Sequence, residues 1–352
     1  MKVAILFDGA SAYATTPDQL ILGTVEAIER SLVSEGNEVG YIPIYQDGKW
    51  IEKLRRGKFD LAFNMCEGID GIASLESAVI SVLELFKIPF TGASSYTTSV
   101  CLRKHVVNGL LEKAGLPIPR FAVIRRGEPL VSVGFPAIVK PAAEDASLGV
   151  EQRSVVRNTR QLAERVSAML ELWEEVLVQR YIEGREVNVG ILGDTVLPIS
   201  EIDFSKMPRG RWRIITYESK WAAGSVDDVG AAPRCPARLP AKIANEVRRV
   251  AVRAWKLSGG FGYGRVDMRI DVNGQPWILE VNANPDIAPD AGLARMARVA
   301  GDEYPALIRT ICEMALARGR QTIPPDEWIL AQRLSGVHGG PAELDLFDVG
   351  QE

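Results

Sequence analysis

Short apolar runs alternate with amphipathic stretches over the first ninety residues. "MKVAILFD" predicts a buried strand, and "TPDQLILGTVEAIERSLVSEG" repeats its apolar residues at helical spacing. Thr16 caps that helix, Pro17 takes its first turn and Gly36 stops it. "NEVGYIPIY" and "FDLAFNMC" predict two more strands, with a helical "SLESAVISVLELF" before "IPFTG". Strands alternating with helices predict an α/β unit ending near Gly92.

The pattern then changes. A helix is expected from about Ser99 to Ala114, stopped by Gly115, followed by strands at "RFAVI" and "FPAIVK". A helix at "TRQLAERVSAMLELW" and a strand at "EVLVQRYI" complete this stretch. Beyond lie "REVNVGILG", "TVLPISEIDF", a Gly/Pro-rich stretch from about Ser205 to Pro240, a helix from about Ala241 to Leu257, the run "GYGRVDMRIDVNGQPWILEVN" and a helix from about Glu303 to Arg318. The expected division is 1–95, 96–182, 183–320 and a peripheral tail, 321–352, in a mixed α/β (α+β) chain.

The run ending in "LEVN" carries the most specific pattern. Asn273-Gly274 is a strong signal for a two-residue hairpin turn. Closing the ribbon there sets Val272 opposite Gln275, Met268 opposite Leu279, Asp267 opposite Glu280 and Arg265 opposite Asn282. One face is then wholly apolar: Val266, Met268, Ile270, Trp277, Leu279 and Val281. The other opposes two carboxylates, an arrangement that repels unless a cation lies between them. Asp267, Glu280 and Asn282 offer hard oxygen ligands suited to magnesium shared with phosphates. A solvated face on which Arg265 and Arg269 neutralise the acids is the competing reading.

Composition narrows the chemistry. The 352 residues are 47% hydrophobic and 24% charged, with a net charge of -4, which describes a soluble globular protein. No Lys/Arg block stands out, which argues against nucleic acid as a primary partner. No apolar run reaches the ~18 residues of a membrane span, and the N-terminus reads as a strand rather than a signal peptide. Cys66, Cys101, Cys235 and Cys312 form no CxxC, which fits a reducing, cytoplasmic setting and argues against zinc. With only His105 and His338, any metal is expected to be a hard, oxygen-bound cation.

Other motifs are individually weaker. No GxxxxGK[ST] occurs, and "GGFGYG" reads as a helix stop and turn. In "FPAIVKPAAEDASLGV" a strand delivers Lys140 to a loop of small residues able to wrap phosphate; an ordinary surface lysine is the alternative. Lys104, on the helix from Ser99 beside Asn108, reads by itself as a solvated lysine. In "EVLVQRYIEGREVNV" an extended linker exposes backbone groups able to meet an adenine edge, with Glu186 placed for ribose hydroxyls; a plain strand-turn-strand is the alternative.

Taken in order, "IPFTG", "KAGLPIPRF", "FPAIVKP", "EVLVQRYIEGREVNVGIL", "YESKW", "GYGRVDMRID" and "LEVNANP" resemble the ATP-grasp superfamily, and within it the D-alanine–D-alanine ligases, from Met1 to about Arg318. The resemblance implies three domains, a Rossmann-like first one and ATP held between the central and C-terminal ones. It implies phosphate contacts from Lys104, Lys140 and Ser147, an adenine-side linker of Gln179, Arg180, Tyr181 and Ile182, and ribose binding by Glu186. Magnesium, as two ions with manganese an alternative, falls to Asp267, Glu280 and Asn282. Arg265 would stabilise the acyl phosphate and tetrahedral intermediate, and Lys220 would come from a loop closing over the phosphates. A homodimer is also implied, and the partners are a small acid and an amine.

Several positions depart from that family's pattern. The loop "DGASAYATTP" lacks the glutamate that holds the first substrate's ammonium. Ala146 replaces a serine, Trp221 a tyrosine and Ala291 a serine near the second substrate. The leading expectation is therefore a carboxylate–amine ligase with altered substrates. A true D-alanine–D-alanine ligase and a nucleotide-binding protein without ligase activity are the alternatives.

Overall fold

The computed structural model describes residues 1–10 and 18–320. Thr16, Pro17, most of the "DGASAYATTP" loop, His338 and the 321–352 tail lie outside them. Three sheets organise the rest. The first is parallel, ordered β2-β1-β3, from β1 (Lys2–Asp8), β2 (Glu38–Ile44) and β3 (Leu61–Asn64). Its central strand is buried on both sides, which a continuous apolar run requires. Val3, Ile5 and Phe7 pack with Ile28 and Leu32 on one side, and Ala4 and Leu6 with Trp50 and Leu54 on the other. Leu307, Ile308 and Ile311 join the first of these cores, so the helix Tyr304–Arg320 covers a sheet made at the other end of the chain.

The second sheet is antiparallel, ordered β4-β7-β5-β6, from β4 (Phe121–Arg125), β5 (Ala137–Pro141), β6 (Val155–Val156) and β7 (Glu175–Arg180). The third runs β11-β10-β8-β12-β13, with β9 paired to β8. Its strands are β8 (Arg185–Leu192), β9 (Thr195–Val196), β10 (Ser200–Asp203), β11 (Ala232–Arg234), β12 (Tyr263–Ile270) and β13 (Pro276–Asn282). The helix Ala241–Leu257 packs Val247, Val250, Ala251 and Trp255 on its apolar face. "GGFGYG" is the return from that helix, and its glycines make room for a ring: a Cβ on Gly264 would lie 2.4 Å from Trp255.

The β12–β13 ribbon differs from the two-residue turn expected at Asn273-Gly274. The Asp271 carboxylate accepts the N–H groups of Asn273 and Gln275, at 2.9 and 3.0 Å. The turn therefore widens, with Asp271 N–H bonded to the Gln275 carbonyl and Gly274 in the left-handed region at φ 83°. Next to the turn, the pairing is shifted by one residue: Ile270 faces Pro276 and Met268 faces Ile278. A bulge beyond Met268 restores the expected register, so Asp267 faces Glu280 and Arg265 faces Asn282. The core side thus takes Ile278, fully buried, instead of Leu279; Trp277 is also displaced and donates its indole N–H to Asp271 at 3.0 Å.

The helix expected from Ser99 to Ala114 is two helices, Ser95–Leu102 and Lys104–Lys113, broken at Arg103 with ψ 85°. The second helix buries Lys104, Val107, Asn108 and Leu111, and leaves Val106 and Leu110 exposed. The solvated reading of Lys104 is therefore wrong: it lies on the inward face. The helices Lys49–Gly57 and Gly292–Ala300 were not expected, and the Gly/Pro-rich stretch holds the short helices Tyr217–Trp221 and Val226–Gly230 as well as β11.

The bulge gives a direct test. Ile278→Ala should cost about 2–5 kcal/mol as a cavity in a sealed core, and Leu279→Ala clearly less. Denaturant midpoints of the two variants check this. A larger loss at Leu279 would restore the unbulged register.

Candidate active site

On the polar face of β12–β13 the two acids are neighbours, and each has its own cation. Arg265 donates to both oxygens of Asp267, at 2.7 and 2.9 Å, and Asn188 adds a donor at 2.7 Å. Glu280 bonds the Lys104 ammonium at 2.5 Å. Lys104 also donates to the Glu144 carbonyl and to Asp145, at 2.5 and 3.1 Å. The break at Arg103 makes this possible, because the Lys104 backbone N–H bonds Ala142 on the loop after β5. Burial opposes the charge on Lys104, but Glu280 and then Asp145 outweigh it and raise its pKa. Burial likewise opposes ionisation of Glu280, while Lys104 and Lys140 hold its pKa below the usual carboxylate range.

Neutralisation by protein cations, the competing sequence reading, therefore describes this structure for Arg265 but not for Arg269. Arg269 turns to Glu186 instead, at 2.8 Å. Among the described residues no three His, Cys, Asp or Glu side chains gather as a metal site. The oxygen set on this face is two carboxylates and the Asn282 amide, whose oxygen accepts from the Asn284 N–H at 3.0 Å. That donor set fits a hard cation sharing its ligands with phosphates, rather than a caged one.

The expected phosphate contacts fall on the loop after β5. Lys140, next to last in that strand, is half-buried, and burial lowers its pKa to about 8, with Lys104 adding to the effect against the pull of Glu280. Ala146 and Ser147 are consecutive left-handed residues, at φ 53° and 60°. The indole of Trp221 donates to the Ala146 carbonyl at 3.2 Å, so the helix Tyr217–Trp221 sits on this loop. Lys220 remains exposed, and desolvation by its surroundings, then Arg265, lower its pKa. Buried Asp227 holds this flap by accepting from Arg211 and Thr216, both at 2.8 Å, and from Gln152 at 3.2 Å. Sequence reading missed Asp227, Gln152 and Arg211, because only the folded flap brings them together.

On the linker side, Gln179 is buried and its amide nitrogen has no hydrogen-bond partner. The backbone groups expected to be exposed are partly taken. The N–H groups of Arg180 and Tyr181 bond Arg120 and Pro136, because pairing of β7 continues to its end, and the Ile182 carbonyl accepts from Arg269 at 2.9 Å. Tyr181 lies edge-on to Trp212, with ring centroids 5.1 Å apart, and under the Arg269 guanidinium at 4.7 Å. Glu186 is near enough to Lys140 to act on its charge, so both sides of the expected nucleotide cleft share one field.

A further carboxylate, Glu67, was not singled out from the sequence. It follows β3, and its ionisation responds to Asp286, Asp145, Lys220 and Arg265. The available signal was its position just beyond the carboxyl end of a parallel strand, where open α/β sheets bind ligands.

Arg269→Met should leave Glu186 buried without its cation and cost about 3–5 kcal/mol. Thermal unfolding checks this, and a change near zero would mean that Glu186 is already satisfied elsewhere.

Comparison with known proteins places this geometry. The family model "D-ala D-ala ligase C-terminus" matches residues 110–313. An uncharacterized protein, y4sG, from Sinorhizobium fredii is 32% identical over 306 residues, covering 86% of this chain and 87% of that one. D-alanine–D-alanine ligase of Dechloromonas aromatica is 30% identical, covering 89% and 97%, and that of Gluconobacter oxydans 31%, covering 90% and 100%. The crystal structure of Bacillus anthracis D-alanine–D-alanine ligase complexed with ATP superposes with a TM-score of 0.75 at 22% identity, over 91% of this chain and 99% of that one. The chain thus has the three-domain ATP-grasp fold and belongs to the D-alanine–D-alanine ligase family.

Proposed function

We propose that this family member is an ATP-dependent, ADP-forming carboxylate–amine ligase that works through an acyl phosphate, with a substrate pocket altered from that of D-alanine–D-alanine ligase. The observation that carries the reading is the joint presence of Arg265, Asp267 and Glu280 on one half-buried polar face, with the buried Lys104 ammonium against it. Nucleotide binding alone would not require an arginine chelated beside opposed acids.

In this reading ATP lies between the 96–182 and 183–320 units. Lys104, Lys140 and Ser147 meet its phosphates; Gln179, Arg180, Tyr181 and Ile182 flank adenine; Glu186 faces ribose. Gln179 has a buried amide nitrogen without a partner, which suits a ring acceptor. Glu186 would share Arg269 with the ribose hydroxyls. Asp267, Glu280 and Asn282 would hold magnesium, which when bound offsets charge on the triphosphate.

The acid substrate's carboxylate attacks the γ-phosphorus, and ADP leaves. The amine then attacks the acyl carbon, and phosphate leaves as the amide forms. Arg265 suits both oxyanions, since its charge is permanent and its donors fork. The flap carrying Lys220 keeps water from the acyl phosphate.

The altered pocket is supported by two departures from the family pattern that touch each other. Trp221 replaces the tyrosine, and its indole holds the carbonyl of Ala146, which replaces the serine. The contact uses the Ala146 backbone, so of the two departures only Trp221, whose indole N–H a tyrosine lacks, makes it. Ala291, the third departure, precedes the helix Gly292–Ala300 and makes no side-chain cap bond. An ADP-release screen of amino-acid pairs with mass detection of products tests the function. Turnover with D-alanine alone would favour the unaltered activity, and no ADP release with any acid and amine would leave only nucleotide binding.

Asp267→Asn and Glu280→Gln should each abolish magnesium-dependent turnover while circular dichroism stays native; rates like the parent's in both would remove the metal assignment. The Lys140 pKa sets a second expectation. Burial in the folded, ligand-free protein lowers the Lys140 pKa to about 8, so the amine loses its charge above that pH, and bound phosphate would pull the pKa up. Nucleotide affinity should therefore fall as pH rises through about 8, and calorimetry in buffers of different ionisation heat should show proton uptake there. A flat affinity across that range would take Lys140 out of the phosphate site.

A further inference from the structure

The flap between β10 and β11 spans two parts of the molecule. Both strands belong to the third sheet, which it leaves after Asp203 and rejoins at Ala232. The body of the flap lies instead on the second sheet and its loops. The Tyr217 N–H bonds the Val150 carbonyl at 2.9 Å, and the Trp221 indole bonds Ala146 at 3.2 Å. Ile214 is buried with Val150, Val155 and Tyr181, and Trp212 packs against that cluster. The Arg157 guanidinium lies over the Trp212 ring at 4.7 Å.

One side chain makes the densest of these crossings. Gln152 opens the 3-10 turn Gln152–Ser154, just beyond the loop after β5. The turn is fixed by its own bonds: the Glu151 N–H donates to Ser154 Oγ at 2.9 Å, and the Ser154 N–H to the Glu151 carbonyl at 2.8 Å. The Gln152 amide pairs with the Trp212 backbone. Its Oε1 accepts the Trp212 N–H at 2.7 Å, and its Nε2 donates to the Trp212 carbonyl at 3.2 Å. Nε2 also faces both oxygens of Asp227, each at 3.2 Å. A carbonyl and a carboxylate both need a donor, so the amide has one workable orientation.

Asp227 lies near the end of the flap, on the helix Val226–Gly230. It accepts from Arg211, near the flap's start, and from Thr216, which caps the helix Tyr217–Trp221. Burial opposes its charge, but the Arg211, Thr216 and Gln152 donors hold its pKa below the ordinary carboxylate value. The two ends of the flap therefore meet at one carboxylate, and one amide from another sheet holds both.

We propose that Gln152 is a positioning residue that, with Asp227, clasps the flap in its closed position and so couples ATP cleavage to amide formation. The effect on turnover rests on the ligase reading; the clasp itself does not. Without the clasp the flap opens during the life of the acyl phosphate. Water then hydrolyses that intermediate to the free acid and phosphate, and ATP is consumed with no amide formed.

The test compares the full-length parent with Gln152→Met and Gln152→Glu. Gln152→Met removes every bond of the clasp amide without adding charge. Gln152→Glu keeps the bond from the Trp212 N–H but sets a second carboxylate against Asp227. Hydrogen exchange of the ATP-free proteins, read by mass spectrometry, reports the clasp. In both variants peptides within 205–231 should exchange at least about tenfold faster, the scale of one hydrogen bond to a charged group. Peptides of β8 and β12 should exchange as in the parent. The ratio of ADP released to amide formed, for an acid and amine that the parent joins, reports coupling and does not depend on the folded fraction. It should rise about twofold or more in both variants as water reaches the acyl phosphate. Flap exchange like the parent's in either variant would overturn the clasp, as would equal acceleration in β8 and β12, which marks a general loss of stability. Faster flap exchange with an unchanged ratio would overturn the coupling role. A parent that joins no acid and amine would bring down the ligase reading and the coupling role together, with the clasp still decided by exchange.

Discussion

The structure turns on one electrostatic problem, the opposition of Asp267 and Glu280 across a pair of antiparallel strands. Like charges at that spacing destabilise a ladder, and half-burial makes the cost larger. The protein answers with Arg265 on one acid and Lys104 on the other. Both answers use groups that a triphosphate would attract. In the proposed function the same face rests in this paired state and passes to one in which phosphates take the cations and a metal takes the acids.

That arrangement places demands on distant parts of the chain. Lys104 reaches Glu280 because a helix breaks at Arg103 and its second half starts against Ala142. Asp145 and Glu144, which share Lys104, lie on the loop whose next residues carry Ser147 and the Trp221 contact. One ammonium thus ties together the helix, the loop after β5 and the ribbon. Asn284 does the same on the other side, joining the ribbon to the loop after β3.

Much of this was legible in the sequence, for physical reasons. The alternation of polar and apolar residues in "GRVDMRID" and "LEVN" reported the polar face, because a strand shows period 2. The pairing at Asp267 and Glu280 came out as expected although the turn did not. The widened turn and the bulge shift the register once in each direction, and a two-residue turn gives the same sum. What hid the turn was the Asp271 side chain, whose bonds compete with the short turn that Asn-Gly favours. Lys104 was misread because a lysine on a helix is taken as solvated when its partners are unknown; Glu280 lies 176 positions away in sequence, beyond any local pattern. Asp227 and Gln152 were illegible for the same reason, and Glu67 because a carboxylate without a partner leaves no mark on periodicity.

The most direct measurement is anomalous diffraction from crystals grown with a non-hydrolysable ATP analogue and manganese. The account predicts a manganese peak bound by Asp267, Glu280 and Asn282, with the Lys104 ammonium turned from Glu280 to a phosphate. Bound analogue with manganese held elsewhere, and with Lys104 still on Glu280, would contradict it.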